Sequence, residues 1–256
     1  MKHEFQVDLL NVRVLPDKEA LGRAAADLGE AVMLRAIAER GEAVIILATG
    51  ASQFEFLHHF SQKKLPWDKV IAFHLDEYVG VSEDHPASFR KYLRDRIIDR
   101  VGMGHFYPIH GDAPDIQTEI ARLTKIFLRH PVDVAFIGIG ENGHIAFNDP
   151  PADFGDPASF KVVALDAVSR QQQLKEGWFP TLEDVPQYAV TMTVPAILSA
   201  RAIVCTVPDL RKAEAVRKTL LMPIQPHVPA SVLRRHSNAH LLLDQPAASL
   251  ISELTS

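Results

Sequence analysis

Short apolar runs alternate with helical patterns along most of the chain. Five runs are rich in Val, Ile and Leu and lack the alternation of apolar and polar positions that marks a strand with one solvated face. Continuous apolar runs of this length are typical of strands buried on both faces of a parallel sheet. The predicted strands span residues 43–48, 70–75, 132–139, 202–207 and 239–243.

The segments between these runs carry helical spacing. Apolar residues recur every three or four positions from Leu21 to Ile37, after Pro16 and before Gly41, residue types that favour the start and the end of a helix. Further helices are predicted at residues 52–62, 87–98, 115–129 and 211–221. No repeat or linker divides the chain. The pattern therefore predicts an α/β fold, a Rossmann-like three-layer sandwich with a mostly parallel central sheet, as a single domain over residues 1–256.

Charge and cysteine content narrow the functional classes. A net charge of -5 without a Lys/Arg block argues against nucleic-acid binding, which needs a concentrated basic surface. Cys205 is the one cysteine and lies in an apolar run, where it is expected to fill the core. No apolar stretch approaches the roughly 20 residues that cross a bilayer, and the N-terminus lacks a signal-peptide pattern. We therefore expect a cytoplasmic protein without membrane or nucleic-acid partners.

The residues after each predicted strand carry the candidate chemistry, because ligands bind outside the carboxyl ends of strands in open α/β sheets. The first predicted strand leads into Thr49, Gly50, Ala51 and Ser52, just before a predicted helix. Hydroxyls and backbone N–H groups at a helix N-terminus favour anions, so this segment is a candidate phosphate cradle. The alternative is an ordinary turn in which Ser52 is the helix N-cap.

Two adjacent carboxylates, Asp76 and Glu77, follow the second predicted strand. A carboxylate held partly buried at this point has a raised pKa and suits a general base. The alternative is structural: Asp76 caps the following turn and Glu77 is solvated.

The third predicted strand runs into a loop with three candidate catalytic side chains, Asn142, His144 and Asp149. Residues 138–143 match GxGxxG, but Pro150 and Pro151 follow closely and would stop the helix that a dinucleotide site requires. A tight functional loop is the better interpretation, and a structural or solvated histidine is the alternative.

Metal and cofactor sites are not predicted. The histidines lack a ligand spacing such as HExxH, and the chain has no cysteine pair. No lysine stands at a strand end in the way that a pyridoxal phosphate site requires. We expect neither a metal nor an organic cofactor.

Several segments together carry a family resemblance. They read LATGAS, FHLDEYVGVSEDHPASFRKYL and GIGENGHIAFNDP, with GDAPD from Gly111, VPQYAVTMTVPAIL from Val185, RKAEAV from Arg211 and VPASVL from Val228. In this order and spacing, along nearly the whole chain, they resemble the glucosamine-6-phosphate deaminase family. The resemblance implies an enzyme that converts glucosamine 6-phosphate and water to fructose 6-phosphate and ammonia, without a metal or organic cofactor.

The resemblance also implies roles for the residues. Asp76 moves a proton between C2 and C1 of the opened sugar, and His144 moves the proton that opens the ring. Asn142 and Asp149 orient and tune His144. The substrate-binding set implied by the family comprises Thr49, Gly50, Ala51, Ser52, Glu77, Arg170 and Lys212, of which the cradle and Lys212 hold the phosphate.

The sequence departs from the common family pattern at four places. The cradle reads TGASQ where the family has a TGGTP-like loop. Asn142 stands where some relatives carry Asp, and Asp149 stands where Glu is common. Gln173 occupies the place of a phosphate-binding arginine in our alignment, so Arg170 is the nearby substitute.

Three other functions share this pattern in part. A 6-phosphogluconolactonase has the same fold, but its loop reads GxDGHxASLFP where this chain has GHIAFNDP. A sugar-phosphate isomerase begins with the same proton transfer. A non-catalytic sugar-phosphate sensor carries a DNA-binding helix-turn-helix, for which we expect no room in this short, acidic chain. The resemblance also allows a homo-oligomer, because some family members are hexamers.

Overall fold

An eight-stranded sheet forms the centre of the fold in a computed structural model, which describes residues 3–175 and 177–255. The strand order is β1-β2-β11-β10-β7-β3-β4-β6, and every neighbouring pair is parallel except β1 and β2. The mostly parallel sheet predicted from the apolar runs is confirmed. In chain order the strands are β1 (Glu4–Val7), β2 (Leu10–Leu15), β3 (Ala43–Leu47), β4 (Val70–His74), β5 (Asp76–Tyr78), β6 (His105–Tyr107), β7 (Val134–Ile137), β8 (Phe160–Ala164), β9 (Tyr188–Met192), β10 (Ala202–Val207) and β11 (Ala239–Asp244).

Helices connect the strands, and the longest begins and ends as its sequence predicts. The Asp17 side chain accepts a hydrogen bond from the Ala20 N–H at the start of α1, and Gly41 ends that helix with a φ of 86°. None of the described helices is both long and apolar enough to span a membrane. The helices are α1 (Lys18–Arg40), α2 (Phe54–Ser61), α3 (Phe89–Leu93), α4 (Asp99–Val101), α5 (Ile116–Phe127), α6 (Ala167–Lys175), α7 (Val194–Leu198), α8 (Ala213–Leu221) and α9 (Ser252–Thr255).

Short non-α turns adjoin several of these helices. The predicted helix at residues 87–98 begins at Phe89 and continues after α3 as a π-helical turn, Arg94–Ile98. Turns of 3-10 type are formed by Ala51–Gln53, Trp67–Lys69, Leu210–Lys212 and Pro229–Arg235.

Both faces of the sheet are buried under helices at its centre, which is why β3, β7 and β10 are almost wholly apolar. Val44 and Ile46 of β3 pack into the same core cluster as residues of α5 and α8. Ile45 and Leu47 point to the opposite face and pack with α1 and α2. The result is a helix–sheet–helix sandwich, and the predicted three-layer α/β fold is confirmed.

A smaller antiparallel sheet, in the order β5-β9-β8, was not predicted. The chain passes from the large sheet into this one at Leu75, between β4 and β5. The Leu75 N–H donates to the Leu47 carbonyl, while the Met192 N–H donates to the Leu75 carbonyl. Leu75 therefore joins the two sheets directly before Asp76.

The chain reverses its direction of travel across the large sheet at β3. From β3 it moves to β4 and β6 on one side, and it then returns to β7 on the other side of β3. The loops that leave the carboxyl ends of β3 and β7 therefore diverge and leave a crevice between them, where α/β sheets of this kind bind ligands.

Candidate active site

A cleft lies at this crevice and brings together the ends of four parallel strands. Its walls come from the segments that follow β3, β4, β7 and β10, with α3 and α6 contributing one residue each. The lining residues are Ala48, Thr49, Gly50, Ala51, Ser52, Leu75, Asp76, Phe89, Gly138, Ile139, Gly140, His144, Ala146, Phe147, Gln173, Arg211 and Lys212.

The segment 49–52 forms one wall of the cleft. Gly50 has a φ of 95°, a backbone conformation that residues other than glycine rarely adopt. The Gly50 carbonyl accepts a hydrogen bond of 2.8 Å from the Tyr92 hydroxyl. Ser52 lies inside a 3-10 turn and is not the N-cap of α2, since Gln53 occupies that position. The alternative in which Ser52 is an ordinary N-cap is therefore wrong.

Gln53 supports this wall from behind and was missed by the sequence analysis. It is fully buried, and its amide Nε2 donates to the hydroxyls of Ser52 at 3.0 Å and Thr206 at 2.9 Å. These bonds tie the segment after β3 to β10, so the cradle is held against the centre of the sheet.

Asp76 opens β5 and lines the floor of the cleft. The residue is 7% exposed, and no cation in residues 3–175 and 177–255 forms an ion pair with its carboxyl. Burial, together with the nearby Glu77 carboxylate, raises the pKa of Asp76 to about 8. A carboxyl with this pKa exchanges a proton readily near neutral pH, as a general acid and base must.

Glu77 does not line the cleft, so the predicted substrate contact at Glu77 is corrected. Its side chain is fully buried and points toward the start of α3. One carboxylate oxygen accepts from the N–H groups of Tyr78 and Phe89, and the other accepts from the Ser88 hydroxyl and from Arg90. Glu77 is thus a structural carboxylate that satisfies free N–H groups at a helix start, and it is not solvated either.

The loop after β7 holds the other candidate catalytic group. Nδ1 of His144 lies 2.9 Å from Oδ1 of Asp149, and the Asn142 amide donates to the same oxygen at 3.0 Å. Asn142 also accepts from the His144 backbone N–H at 3.0 Å. Burial raises the pKa of Asp149, but its bonds to His144, Ser169 and Asn142 outweigh this and hold that pKa below its usual value. The structure brings all three predicted residues together.

Ser169 on α6 completes this cluster and was not predicted. It is fully buried, and its hydroxyl donates to Oδ1 of Asp149 at 2.7 Å. Ser169 and Gln173 are four residues apart and so share one face of α6. This spacing was the sequence signal by which the two residues could have been found. The segment is rich in polar residues, however, and so gives no reason to expect that Ser169 is buried.

Gly140 permits the His144 ring to occupy its position. An added Cβ on Gly140 would lie 2.2 Å from Nε2 of His144, far closer than van der Waals contact. The imidazole therefore lies against the Gly140 backbone, at the wall of the cleft.

Lys212 supplies a cation to the part of the cleft wall that follows β10. It belongs to the 3-10 turn after β10 and is 4% exposed. The preceding Asp209 has a φ of 85° and forms an ion pair of 2.5 Å with Lys18, while its N–H donates to Asp244. These contacts hold the bend that brings Lys212 into the cleft.

Gln173 reaches the cleft, whereas Arg170 does not. The Arg170 guanidinium donates to the backbone carbonyls of Leu182 and Val185, so its predicted role as the substitute phosphate contact is corrected. Gln173 accepts a hydrogen bond of 2.6 Å from the Tyr78 hydroxyl through Oε1. Its amide therefore offers a neutral polar group to the cleft.

Neither a metal cluster nor a reactive thiol occurs in the described part of the chain. Within residues 3–175 and 177–255, no group of three or more His, Cys, Asp or Glu side chains could hold a metal ion. Cys205 is fully buried in β10, and burial raises the pKa of its thiol.

Comparison with known proteins shows which family the chain belongs to. Residues 16–242 match the family described as glucosamine-6-phosphate isomerases/6-phosphogluconolactonase. The chain belongs to this family. Among its members, a protein named glucosamine-6-phosphate deaminase from Exiguobacterium sp. is 37% identical over 210 residues, which cover 82% of this chain and 81% of the relative. A Bacillus cereus protein of the same name is 33% identical over 244 residues, covering 95% of this chain and 90% of the relative.

Solved structures of the glucosamine-6-phosphate isomerase/6-phosphogluconolactonase family agree with the fold. A structure described as a monomeric glucosamine-6-phosphate deaminase superposes with a TM-score of 0.85 at 32% identity, covering 93% of this chain and 99% of that one. A 6-phosphogluconolactonase from Shewanella baltica superposes with a TM-score of 0.76 at 19% identity, covering 95% and 100%. At 19% identity, the similarity to the Shewanella baltica structure supports only the fold. The homo-oligomer stays a prediction.

Proposed function

We propose that this chain converts glucosamine 6-phosphate and water to fructose 6-phosphate and ammonia. The observation that carries the proposal is the arrangement of one cleft, which is lined by a carboxyl with a pKa of about 8 and by a histidine bonded to an ionised aspartate. The relatives that are 32–37% identical and named glucosamine-6-phosphate deaminase support the same reaction.

Ring opening is assigned to His144. The lowered pKa of Asp149 keeps that carboxylate ionised, so it accepts and Nδ1 of His144 carries the proton. Nε2 then lies on the cleft side as a base that can take the proton of the C1 hydroxyl and return one to the ring oxygen. This exchange yields the open-chain aldehyde.

Proton transfer between C2 and C1 is assigned to Asp76. Its carboxylate removes the C2 proton from the open aldose while O1 takes a proton from the reacting water, which gives an enolamine. The same carboxyl group then delivers the proton from C2 to C1. C2 becomes an iminium carbon, to which water adds, and loss of ammonia leaves the C2 ketone of fructose 6-phosphate. A pKa of about 8 suits both halves of the transfer at neutral pH.

The phosphate is assigned to the cradle and Lys212. Thr49 and Ser52 offer their hydroxyls to the phosphate, and the backbone at Gly50 can approach it closely because this glycine has a positive φ. Lys212 adds a charge-assisted hydrogen bond. Gln173 replaces a second cation with a neutral amide, so we expect phosphate affinity to depend strongly on Lys212.

The reaction class is tested with purified protein and a panel of sugar phosphates. We expect ammonia and fructose 6-phosphate to appear together, in equal amounts, from glucosamine 6-phosphate. Fructose 6-phosphate from glucose 6-phosphate without ammonia would indicate an isomerase instead. Hydrolysis of 6-phosphogluconolactone as the main activity would replace the proposal with a lactonase.

A further inference from the structure

A second groove lies outside the cleft, beside the π-helical turn Arg94–Ile98. Its volume is about 260 Å³, near the lower bound of roughly 300 Å³ for small-molecule pockets. The walls include Lys91, Arg96 and Arg100 from one helical segment, and Trp178 from the segment that follows α6. None of these side chains has a part in the mechanism proposed above.

The groove carries an excess of positive charge. Asp95 is the one carboxylate among the described residues that line it, and its side chain pairs with Lys91 at 3.0 Å. Arg100 donates to the Asp95 backbone carbonyl and so does not neutralise that carboxylate. Three cations and one carboxylate therefore line the groove, which leaves it with a net positive charge for an anion.

Arg96 is the most constrained of the three cations. Its Cζ lies 4.0 Å from the ring centroid of Phe54 and 4.8 Å from that of Tyr92, a double cation–π contact. Within the described residues its guanidinium forms no ion pair and donates no hydrogen bond. A fixed guanidinium with free N–H groups, next to a half-buried indole, is suited to an anion attached to a ring.

The groove is in contact with the phosphate cradle through Tyr92. The ring of this residue lines the groove and stacks on Phe54, while its hydroxyl donates to the Gly50 carbonyl in the cradle at 2.8 Å. Phe54 is the first residue of α2, which leads directly from the cradle. A ligand that shifts Arg96 or Tyr92 therefore acts on the cradle backbone.

We propose that this groove is a second binding site for a phosphate monoester, whose dianion is held by Lys91, Arg96 and Arg100 and whose ring packs against Trp178. Occupancy of the groove changes the affinity of the cradle for its own phosphate through Tyr92. Coupling of this kind is reciprocal, so substrate in the cleft changes the affinity of the groove by the same factor. The coupling, but not the binding, rests on the proposed function of the cleft.

Binding is tested by tryptophan fluorescence in the Lys212→Ala variant, which weakens anion binding in the cleft. The chain has two tryptophans, and Trp67 is buried in the core, so a response comes from Trp178. Glucose 6-phosphate and AMP are titrated separately, with glucose and adenosine as uncharged counterparts. We expect a saturable change in fluorescence with at least one of the two phosphate esters. A response to glucose 6-phosphate alone indicates that the groove binds a sugar phosphate, and a response to AMP alone indicates that it binds a nucleotide.

Two variants decide whether the groove is the site. Lys91→Gln combined with Arg100→Gln should weaken binding at least about fivefold, since each removes a partly exposed charge. Arg23→Gln on α1 is the control, because Arg23 is exposed and does not line the groove, and it should change nothing. No response from Trp178 to any ester, or equal affinity in the double variant, overturns the binding site even if the deaminase reaction is real.

The coupling is tested on the enzyme with its own lysine at 212. With the groove saturated, the KM for glucosamine 6-phosphate should change at least about twofold at constant kcat, and the double variant should lose this change. An unchanged KM overturns the coupling and leaves the binding site standing. Absence of any deaminase activity refutes the proposed function alone, because the fluorescence test does not depend on it.

Discussion

Asp149 fixes the tautomer of His144 through a single bond of 2.9 Å between Oδ1 and Nδ1. The Oδ1 atom also accepts from Asn142 and Ser169, so three donors share one oxygen. A carboxylate with this many donors stays ionised, and the imidazole beside it is held with Nε2 against Gly140, which lines the cleft. The arrangement yields a prediction about the glycine on which the ring rests.

Gly140→Ala should lower activity by displacing His144. The new Cβ would meet the imidazole at 2.2 Å, while the Gly140 backbone does not itself need glycine, since its φ is not positive. We expect turnover of glucosamine 6-phosphate to fall about 100-fold, the order of loss seen when a catalytic group moves by about 1 Å. The reverse reaction from fructose 6-phosphate and ammonia should suffer less, because a ketose opens more readily.

Gly155→Ala is the control for that variant, because an added Cβ there meets one atom at 3.6 Å. It should retain wild-type rates in both directions. Equal rates for Gly140→Ala and wild type would show that the position of His144 does not matter for ring opening.

Asp76→Asn should abolish proton abstraction at C2 while keeping the size of the side chain. Loss of a general base costs roughly two to four orders of magnitude, which is the fall that we expect in ammonia release. Exchange of the C2 proton with solvent deuterium gives a second measurement that does not depend on deamination. Wild-type exchange in the variant would exclude Asp76 as the base.

The same substitution should change how stability depends on pH. Asp76 has a pKa of about 8 when folded and roughly 3.9 when unfolded, so between these values the folded state holds one extra proton. The free energy of unfolding of the wild type therefore falls as pH rises through this window, by up to about 5 kcal/mol. Urea unfolding at a series of pH values should show a smaller fall for Asp76→Asn. Parallel curves for the two proteins would contradict the raised pKa.

Lys212→Ala should mainly impair recognition of the phosphate. We expect the KM for glucosamine 6-phosphate to rise by about 10- to 100-fold, as loss of a charge-assisted contact implies. Lys218→Ala, in the same helical region but 44% exposed and paired with Glu214, should leave the KM unchanged. Turnover of unphosphorylated glucosamine as efficient as that of its 6-phosphate would remove the phosphate site from this cleft.

Apolar runs were sufficient to predict the five central strands of the large sheet, because strands buried on both faces are mostly apolar. The outer strands β1, β2 and β6 contain polar residues and were not predicted. The predicted strand at 202–207 coincides with β10, and the predicted helix from Pro16 to Gly41 contains α1. The small sheet escaped prediction, since β5 has three residues and two of them are acidic. A carboxylate in a strand is only explicable once the partner strand and its cleft are known.

The candidate site was predictable where chemistry follows a strand end, and uncertain where it depends on distant partners. Asp76, His144 and Lys212 all line the cleft. Glu77 was misassigned because its partner Arg90 lies 13 residues away, on a helix whose start needs an acceptor. Arg170 was misassigned for a similar reason, since two backbone carbonyls take its guanidinium.

The pairing of β5 with β9 puts Asp76 opposite Thr191 and Glu77 opposite Val190. Successive side chains of a strand point to opposite sides, so Asp76 faces the cleft and Glu77 anchors the start of α3. A slip of this pairing by one residue would exchange them, placing the anchor in the cleft and leaving the helix start unsatisfied. The register of β5 against β9 therefore decides which of the two carboxylates faces the cleft. A shift of this one short strand by a single residue would remove Asp76 from the cleft of a protein that is otherwise correctly folded.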